Sequence, residues 1–137
     1  MLDDEEFRRW RAEAAGALQA GGQTRRGGQH NWACFLAEQA AQLAVKAFLH
    51  GVGAGPWGHD LVALGRALSE AVGRPLPPVV EGAVARLSKL YITTRCPDAH
   101  PGGWPGERYS DEEAARALED AELVVATVDD LWRQLQA

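Results

Sequence analysis

Apolar residues recur at helical spacing along most of this chain, and no segment alternates between apolar and polar residues with a period of two. The pattern predicts helices over about residues 3–20, 31–50, 58–72, 79–91 and 110–136. Glycine and proline clusters separate these segments and leave mostly short connections. The sequence therefore predicts one all-α domain over residues 1–137, built as an up-and-down antiparallel bundle of four to five helices.

Local signals define the expected ends of several helices. Gly21 and Gly22 are expected to end the first helix, because glycine often follows the last helical residue. Asn31 is expected to cap the second helix through its side chain. Ser110 and Glu113 have the spacing of a capping box, which predicts the start of the last helix.

The second predicted helix stands apart because it carries almost no charge. Between Asn31 and His50, only Glu38 and Lys46 are ionisable apart from the terminal histidine itself. A helix that faces water on one side normally carries a full polar face. We therefore expect this helix to be covered on most of its circumference, either at the centre of the bundle or at an interface between two subunits.

Composition narrows the classes of function. The chain has a net charge of -5, which argues against non-specific binding to nucleic acid, since that binding depends on neutralising phosphates. No apolar run approaches the length of a membrane span. The two cysteines, Cys34 and Cys96, are typical of free thiols in a reducing compartment rather than of a disulfide framework. These features predict a cytoplasmic protein that does not bind membranes.

A long segment over about residues 92–109 contains Arg95 and His100, and loops of that length are often functional. Arginine can donate two hydrogen bonds to a phosphate, and histidine can move a proton near neutral pH. Together they could cleave RNA without a metal, with His100 as base or acid and Arg95 on the phosphorane charge. In the structural alternative, Arg95 pairs with Asp98 or caps the preceding helix, and His100 lies in solvent.

Two other groups of residues have features of metal sites. Adjacent histidine and aspartate, as at His59 and Asp60, occur in metal phosphohydrolases, but the further ligands that such sites need are not visible. Asp60 is more simply explained by the first turn of the third helix. The second group consists of His30, Cys34, Cys96 and His100. Because this group lacks close cysteine pairs and Cys34 lies in an apolar helix, a buried thiol is expected and no metal site is predicted.

Several residues occur in an order that resembles a known family. They are Phe35, Gln39, Ala40, Lys46, His59, Asp60, Leu61, Tyr91, Ile92 and the run from Arg95 to Asp98. Over about Trp10 to Leu135, the chain resembles the HEPN family of small helical proteins. The resemblance implies a helical bundle that dimerises and has a link to nucleotides or RNA. Many relatives act with a minimal nucleotidyltransferase, and some are ribonuclease toxins that place an arginine and a histidine across a dimer cleft.

Two functional hypotheses follow from the residues and the resemblance. The preferred one is a non-catalytic homodimeric module of a toxin–antitoxin-type system. It would bind a nucleotide or a nucleotidyltransferase partner through Lys46, His59, Asp60 and Arg95. The alternative is a metal-independent endoribonuclease toxin that uses Arg95 and His100. Neither hypothesis calls for a cofactor.

Overall fold

The computed structural model describes residues 1–137 and consists of helices and turns without a β-strand. Its six α-helices are α1 (Asp4–Arg26), α2 (His30–Gly51), α3 (Leu61–Val72), α4 (Pro78–Ser88), α5 (Leu90–Thr93) and α6 (Asp111–Gln136). Two short 3-10 turns, Pro97–Ala99 and Pro105–Glu107, lie between α5 and α6. The predicted all-α helical bundle is therefore confirmed. No helix combines the length and the apolar content that a bilayer crossing requires.

α2 is the central helix, because it contacts each of the other five helices. Alanines at positions such as Ala37, Ala40 and Ala44 are fully buried, and small side chains there let the neighbouring helices approach closely. The uncharged sequence of α2 is thus explained by burial inside a single chain, and its coverage does not require a second subunit. A stripe on α2 stays exposed or half-buried, and it contains Trp32, Phe35, Leu36, Gln39 and Leu43.

The first helix is longer than predicted, since it continues through Gly21 and Gly22 to Arg26. Gly21 is buried at the contact with α2 and α6, and a Cβ atom there would lie 2.7 Å from a methyl carbon of Leu118. This glycine therefore permits close packing of helices rather than ending one. The last turn of α1 is held by an ion pair in which Arg25 Nε lies 2.8 Å from Asp111 Oδ1.

Asn31 does not cap α2, which was a wrong prediction. The N-cap residue is Gln29, and its side chain makes no capping hydrogen bond. Asn31 lies inside the first turn of α2, where its Nδ2 donates to the carbonyl oxygen of Thr94 at 2.9 Å. Because this bond spans 63 residues of sequence, the asparagine connects α2 to the segment that carries Arg95.

The third and fourth helices also differ from their predicted bounds. α3 begins at Leu61, since Asp60 is its N-cap residue and accepts hydrogen bonds from the next backbone N–H groups. The predicted fourth helix is divided at Lys89 into α4 and the single turn of α5. In contrast, the capping box at Ser110 and Glu113 is confirmed, with both reciprocal hydrogen bonds present.

Candidate functional site

The guanidinium group of Arg95 lies between two aromatic rings. Its central carbon is 4.5 Å from the ring centroid of Phe35 on α2 and 4.6 Å from that of Tyr91 on α5. Such cation–π contacts favour a fixed position of the guanidinium plane. Arg95 Nε donates to the backbone carbonyl of Tyr91 at 2.8 Å, so its two terminal nitrogens are left as the free hydrogen-bonding edge.

A second aromatic contact extends this arrangement to His59. The imidazole ring of His59 is stacked on Tyr91, with 5.2 Å between the ring centroids and 13° between the planes. We call Phe35, Arg95, Tyr91 and His59 the aromatic stack. It brings together two of the four residues predicted to bind a nucleotide, Arg95 and His59, although 36 residues of sequence separate them.

Glu38 is fully buried on α2 near the aromatic stack. One carboxylate oxygen accepts from Gln39 Nε2 at 2.8 Å, and the other accepts from Gln42 Nε2. Burial raises the pKa of the Glu38 carboxyl group, while the bonds from Gln42 and Gln39 and the charges of Arg95 and Lys46 oppose that shift. Glu38 is therefore a buried acid that interacts with the charges of Arg95 and Lys46, two residues predicted to bind a nucleotide or a partner protein.

The Glu38→Gln variant is expected to gain stability relative to the unmodified chain as pH rises above about 4.5, the ordinary glutamate pKa. Because the folded-state pKa of Glu38 is raised, the folded chain retains a proton that the unfolded chain releases. The contribution of the Glu38 carboxyl group to stability is fully present below the ordinary glutamate pKa and is lost as pH rises through the folded-state pKa. Urea unfolding of both chains at several values between pH 4 and pH 8 measures the difference, and a pH-independent difference would contradict this. Glu122→Gln, at an exposed position of α6, is the matched control.

An open groove of about 490 Å³ adjoins the aromatic stack. It is lined by His59, Asp60, Leu61, Ser88, Lys89, Tyr91 and Ile92. Grooves of similar size, beside the connection of α3 with α4 and beside Trp57, lack a cation held against aromatic rings. Arg95 is not itself a lining residue, but Tyr91, which it contacts, is one. This groove therefore adjoins a cation held on an aromatic ring, which suits an anionic ligand that carries a flat ring.

The other two predicted nucleotide-binding residues have different surroundings. Lys46 is 8 % exposed and forms no ion pair within 4.0 Å, and burial lowers the pKa of its amine against the effect of the nearby charge of Glu38. Asp60 lies at the rim of the groove, but its Oδ1 accepts from Val62 N at 3.1 Å and Ala63 N at 3.2 Å. Asp60 thus has a structural role as the cap of α3 in addition to any contact with a ligand.

His100 and Arg95 are engaged separately within the chain. His100 Nε2 lies 2.6 Å from the carbonyl oxygen of Thr93, near the end of α5, and the imidazole is half-buried rather than free in solvent. Arg95 forms no ion pair with Asp98, whereas its bond to the Tyr91 carbonyl agrees with the helix-capping alternative. The expected pair of catalytic residues therefore shares no hydrogen bond inside one subunit.

Sequence reasoning did not assign a functional role to Phe35, Tyr91, Gln42 or Lys89. Helical spacing offers a signal for two of them, because Tyr91 precedes Arg95 by four residues and Gln42 follows Glu38 by four. No spacing rule connects Phe35 to Arg95, since their contact joins α2 to the segment after α5.

The candidate zinc ligands do not form a site in this structure. No three or more His, Cys, Asp or Glu side chains are grouped so that they could hold a metal ion. Cys34 is buried, and burial together with the charge of Glu113 raises the pKa of its thiol to about 12. Cys34 is therefore a neutral buried thiol, and Cys96 is a half-buried free thiol.

Taken together, the fold and the site define an all-α bundle with a cation–aromatic surface beside an open groove. The HEPN domain family model matches residues 7–131, and the chain therefore belongs to the HEPN family. No curated protein matches the chain in sequence.

Solved structures agree with this assignment. The TT1696 protein of Thermus thermophilus is 35% identical, with a TM-score of 0.84 over 91% of this chain and 97% of that one. ST0689, described as an archaeal HEPN homologue, is 27% identical, with a TM-score of 0.76 over 90% and 95% of the two chains. The HEPN domain protein TM0613 of Thermotoga maritima is 30% identical, with a TM-score of 0.73 over 91% and 98%.

Proposed function

We propose that this chain is a nucleotide-binding HEPN module and that the aromatic stack with its adjoining groove is the binding surface. The observation that carries the proposal is the Arg95 guanidinium, which is held between Phe35 and Tyr91 with its terminal nitrogens unpaired. A planar guanidinium edge suits bidentate binding of a phosphate, and Lys89 adds a second cation at the groove. The exposed ring of His59 on the wall of the groove offers a surface on which a nucleobase could stack.

The proposal includes a homodimer, and the apolar surface around the site supports it. Trp32, Ile92 and Trp104 are 45%, 53% and 60% exposed, and all three lie on α2 or on the segment from α5 to α6. Large exposed apolar patches on soluble domains commonly mark interaction surfaces. We also propose a minimal nucleotidyltransferase as a partner in a cytoplasmic toxin–antitoxin-type system, and this part rests on the family resemblance.

Replacing Arg95 with alanine is expected to weaken ATP binding by about 10–100-fold, because charged hydrogen bonds contribute about 1.5–3 kcal/mol. Isothermal titration of the purified chain with ATP at a stated salt concentration measures the affinity directly. Arg133→Ala is the matched control, since Arg133 is an exposed arginine near the end of α6 and pairs with Asp130. If the chain does not bind ATP, or if both variants bind it equally well, the proposal is wrong.

The same preparations distinguish the module from the alternative enzyme. A short RNA incubated with the chain and a metal chelator should remain intact if the chain only binds nucleotides. Metal-independent cleavage that is lost in both Arg95→Ala and His100→Ala would instead establish the endoribonuclease function. Light scattering of the unmodified chain gives its mass in solution and tests the homodimer.

A further inference from the structure

We infer that Gln42 holds His59 in one tautomer, with the proton on Nδ1, so that Nε2 is a fixed hydrogen-bond acceptor at the groove. This acceptor would select nucleotides whose base carries an exocyclic amino group. The tautomer follows from contacts within the chain, while the choice of ligand rests on the proposed function. His59 would then determine specificity at the site.

The first step is the orientation of the Gln42 amide. Its Nε2 lies 3.2 Å from the backbone carbonyl oxygen of His59 and also contacts a carboxylate oxygen of Glu38. A backbone carbonyl can only accept hydrogen bonds, so the atom facing it must be the NH2 group of the amide. The contact of the same Nε2 with Glu38 Oε2 agrees with this orientation, and the two contacts use both hydrogens of that group.

The second step follows from the remaining atom of the amide. Gln42 Oε1 lies 3.2 Å from His59 Nδ1, and an amide oxygen has no proton to donate. His59 Nδ1 must therefore carry the proton in this contact. A neutral imidazole has a single N–H, so the partner of Nδ1 leaves Nε2 with a lone pair.

The third step concerns the position of the Nε2 lone pair at the groove. His59 is an exposed residue on the wall of the groove, its ring is stacked on Tyr91, and its Nε2 forms no hydrogen bond within the chain. A base amino group could donate to Nε2, whereas a carbonyl oxygen in the same place would face a second acceptor. Two acceptors that face each other without a hydrogen bond weaken binding. A site that accepts a hydrogen bond therefore favours a base with an amino group over a base with a carbonyl oxygen at that position.

Nitrogen-15 NMR of the histidine side chains tests the tautomer without any ligand. At about pH 8.5, above the ordinary imidazole pKa, His59 is expected to carry its proton on Nδ1. His100 is an internal control with the proton on the other ring nitrogen, because its Nε2 lies 2.6 Å from the Thr93 carbonyl oxygen and must donate to it. Finding the proton of His59 on Nε2 in the unmodified chain would overturn the inference.

Two variants should move the proton of His59 while leaving that of His100 in place. Gln42→Leu removes the acceptor that faces Nδ1, and His59 is therefore expected to lose its preference for carrying the proton on Nδ1. Glu38→Gln gives the buried position its own amide hydrogens, which favour rotation of the Gln42 amide so that an NH2 group faces Nδ1. Retention of the Nδ1–H tautomer in both folded variants would contradict the role assigned to Gln42.

AMP and purine riboside 5′-monophosphate are the matched probes for specificity, since they differ only at C6, where the second nucleotide lacks the amino group. The unmodified chain is expected to bind AMP about tenfold more tightly, and Gln42→Leu is expected to lose that preference. Equal affinities would overturn selection by His59 and leave nucleotide binding in place. Absence of binding to both nucleotides would overturn selection together with the proposed function, whereas the NMR result would still report the tautomer.

Discussion

Replacing Phe48 with alanine is expected to lower the free energy of unfolding by about 3–5 kcal/mol. The Phe48 side chain is fully buried in the last turn of α2 and meets Trp132 edge to face, with 6.0 Å between ring centroids. Its removal leaves a cavity between the central helix and α6, where close-packed neighbours relax only in part. Urea unfolding followed by circular dichroism measures the loss. Since domains of this size are stable by about 5–15 kcal/mol, the variant should unfold at a much lower urea concentration.

Trp57→Ala is the control for removing a large aromatic side chain. Trp57 is 87% exposed on the glycine-rich connection between α2 and α3, so its truncation is expected to change the free energy of unfolding by at most about 0.5 kcal/mol. If both variants lost the same stability, Trp57 would belong to a packed interface, and the assignment of the core would be wrong.

Gly51→Ala is expected to destabilise the chain by about 1–3 kcal/mol, although alanine is the better helix former. A Cβ atom at this position would overlap the indole ring of Trp132. That ring has little freedom to move, because it is stacked on Phe7 with 4.2 Å between centroids and its Nε1 donates to Asp4 at 3.2 Å. Thermal unfolding of the variant and of the unmodified chain measures the difference.

The same substitution at Gly16 is expected to stabilise the chain instead of destabilising it. Gly16 lies in α1, and a Cβ atom there would have no heavy atom within 4 Å. Gly16→Ala is therefore expected to gain about 0.5–1 kcal/mol from the higher helix propensity of alanine. A gain in both variants would mean that the ring of Trp132 can move away from α2, contrary to the packing described here.

Some features that depend on neighbours along the chain were predicted correctly, although Asn31 was wrongly expected to cap α2. The capping box at Ser110 and Glu113 starts α6 as its spacing indicates, because a capping box involves only residues of one turn. The lack of charge on α2 predicted that this helix is covered, and left open whether the bundle or a second subunit covers it. In contrast, Gly21 was taken as a helix end, since a glycine that ends a helix and one that lets another helix approach look the same in sequence.

The site was predicted only in part, for a similar reason. The sequence singled out Arg95 and His59 among the residues that resemble the HEPN family, and the structure places both against the ring of Tyr91. Nothing in the spacing indicated that Phe35 would cover the other side of Arg95 or that Gln42 would meet His59. The roles of all five predicted site residues in binding or catalysis stay predictions: Lys46, His59, Asp60, Arg95 and His100.

By itself, the sequence determined that this chain is helical, where most of its helices lie and which of them is covered on most sides. Those properties arise from apolar periodicity, capping and charge, which act between residues a few positions apart. Only the tertiary structure decided that Arg95 lies between two rings, that the Gln42 amide meets the ring of His59, and that Gly51 faces an indole. These contacts join residues far apart in the chain, and their geometry depends on how the helices pack around α2.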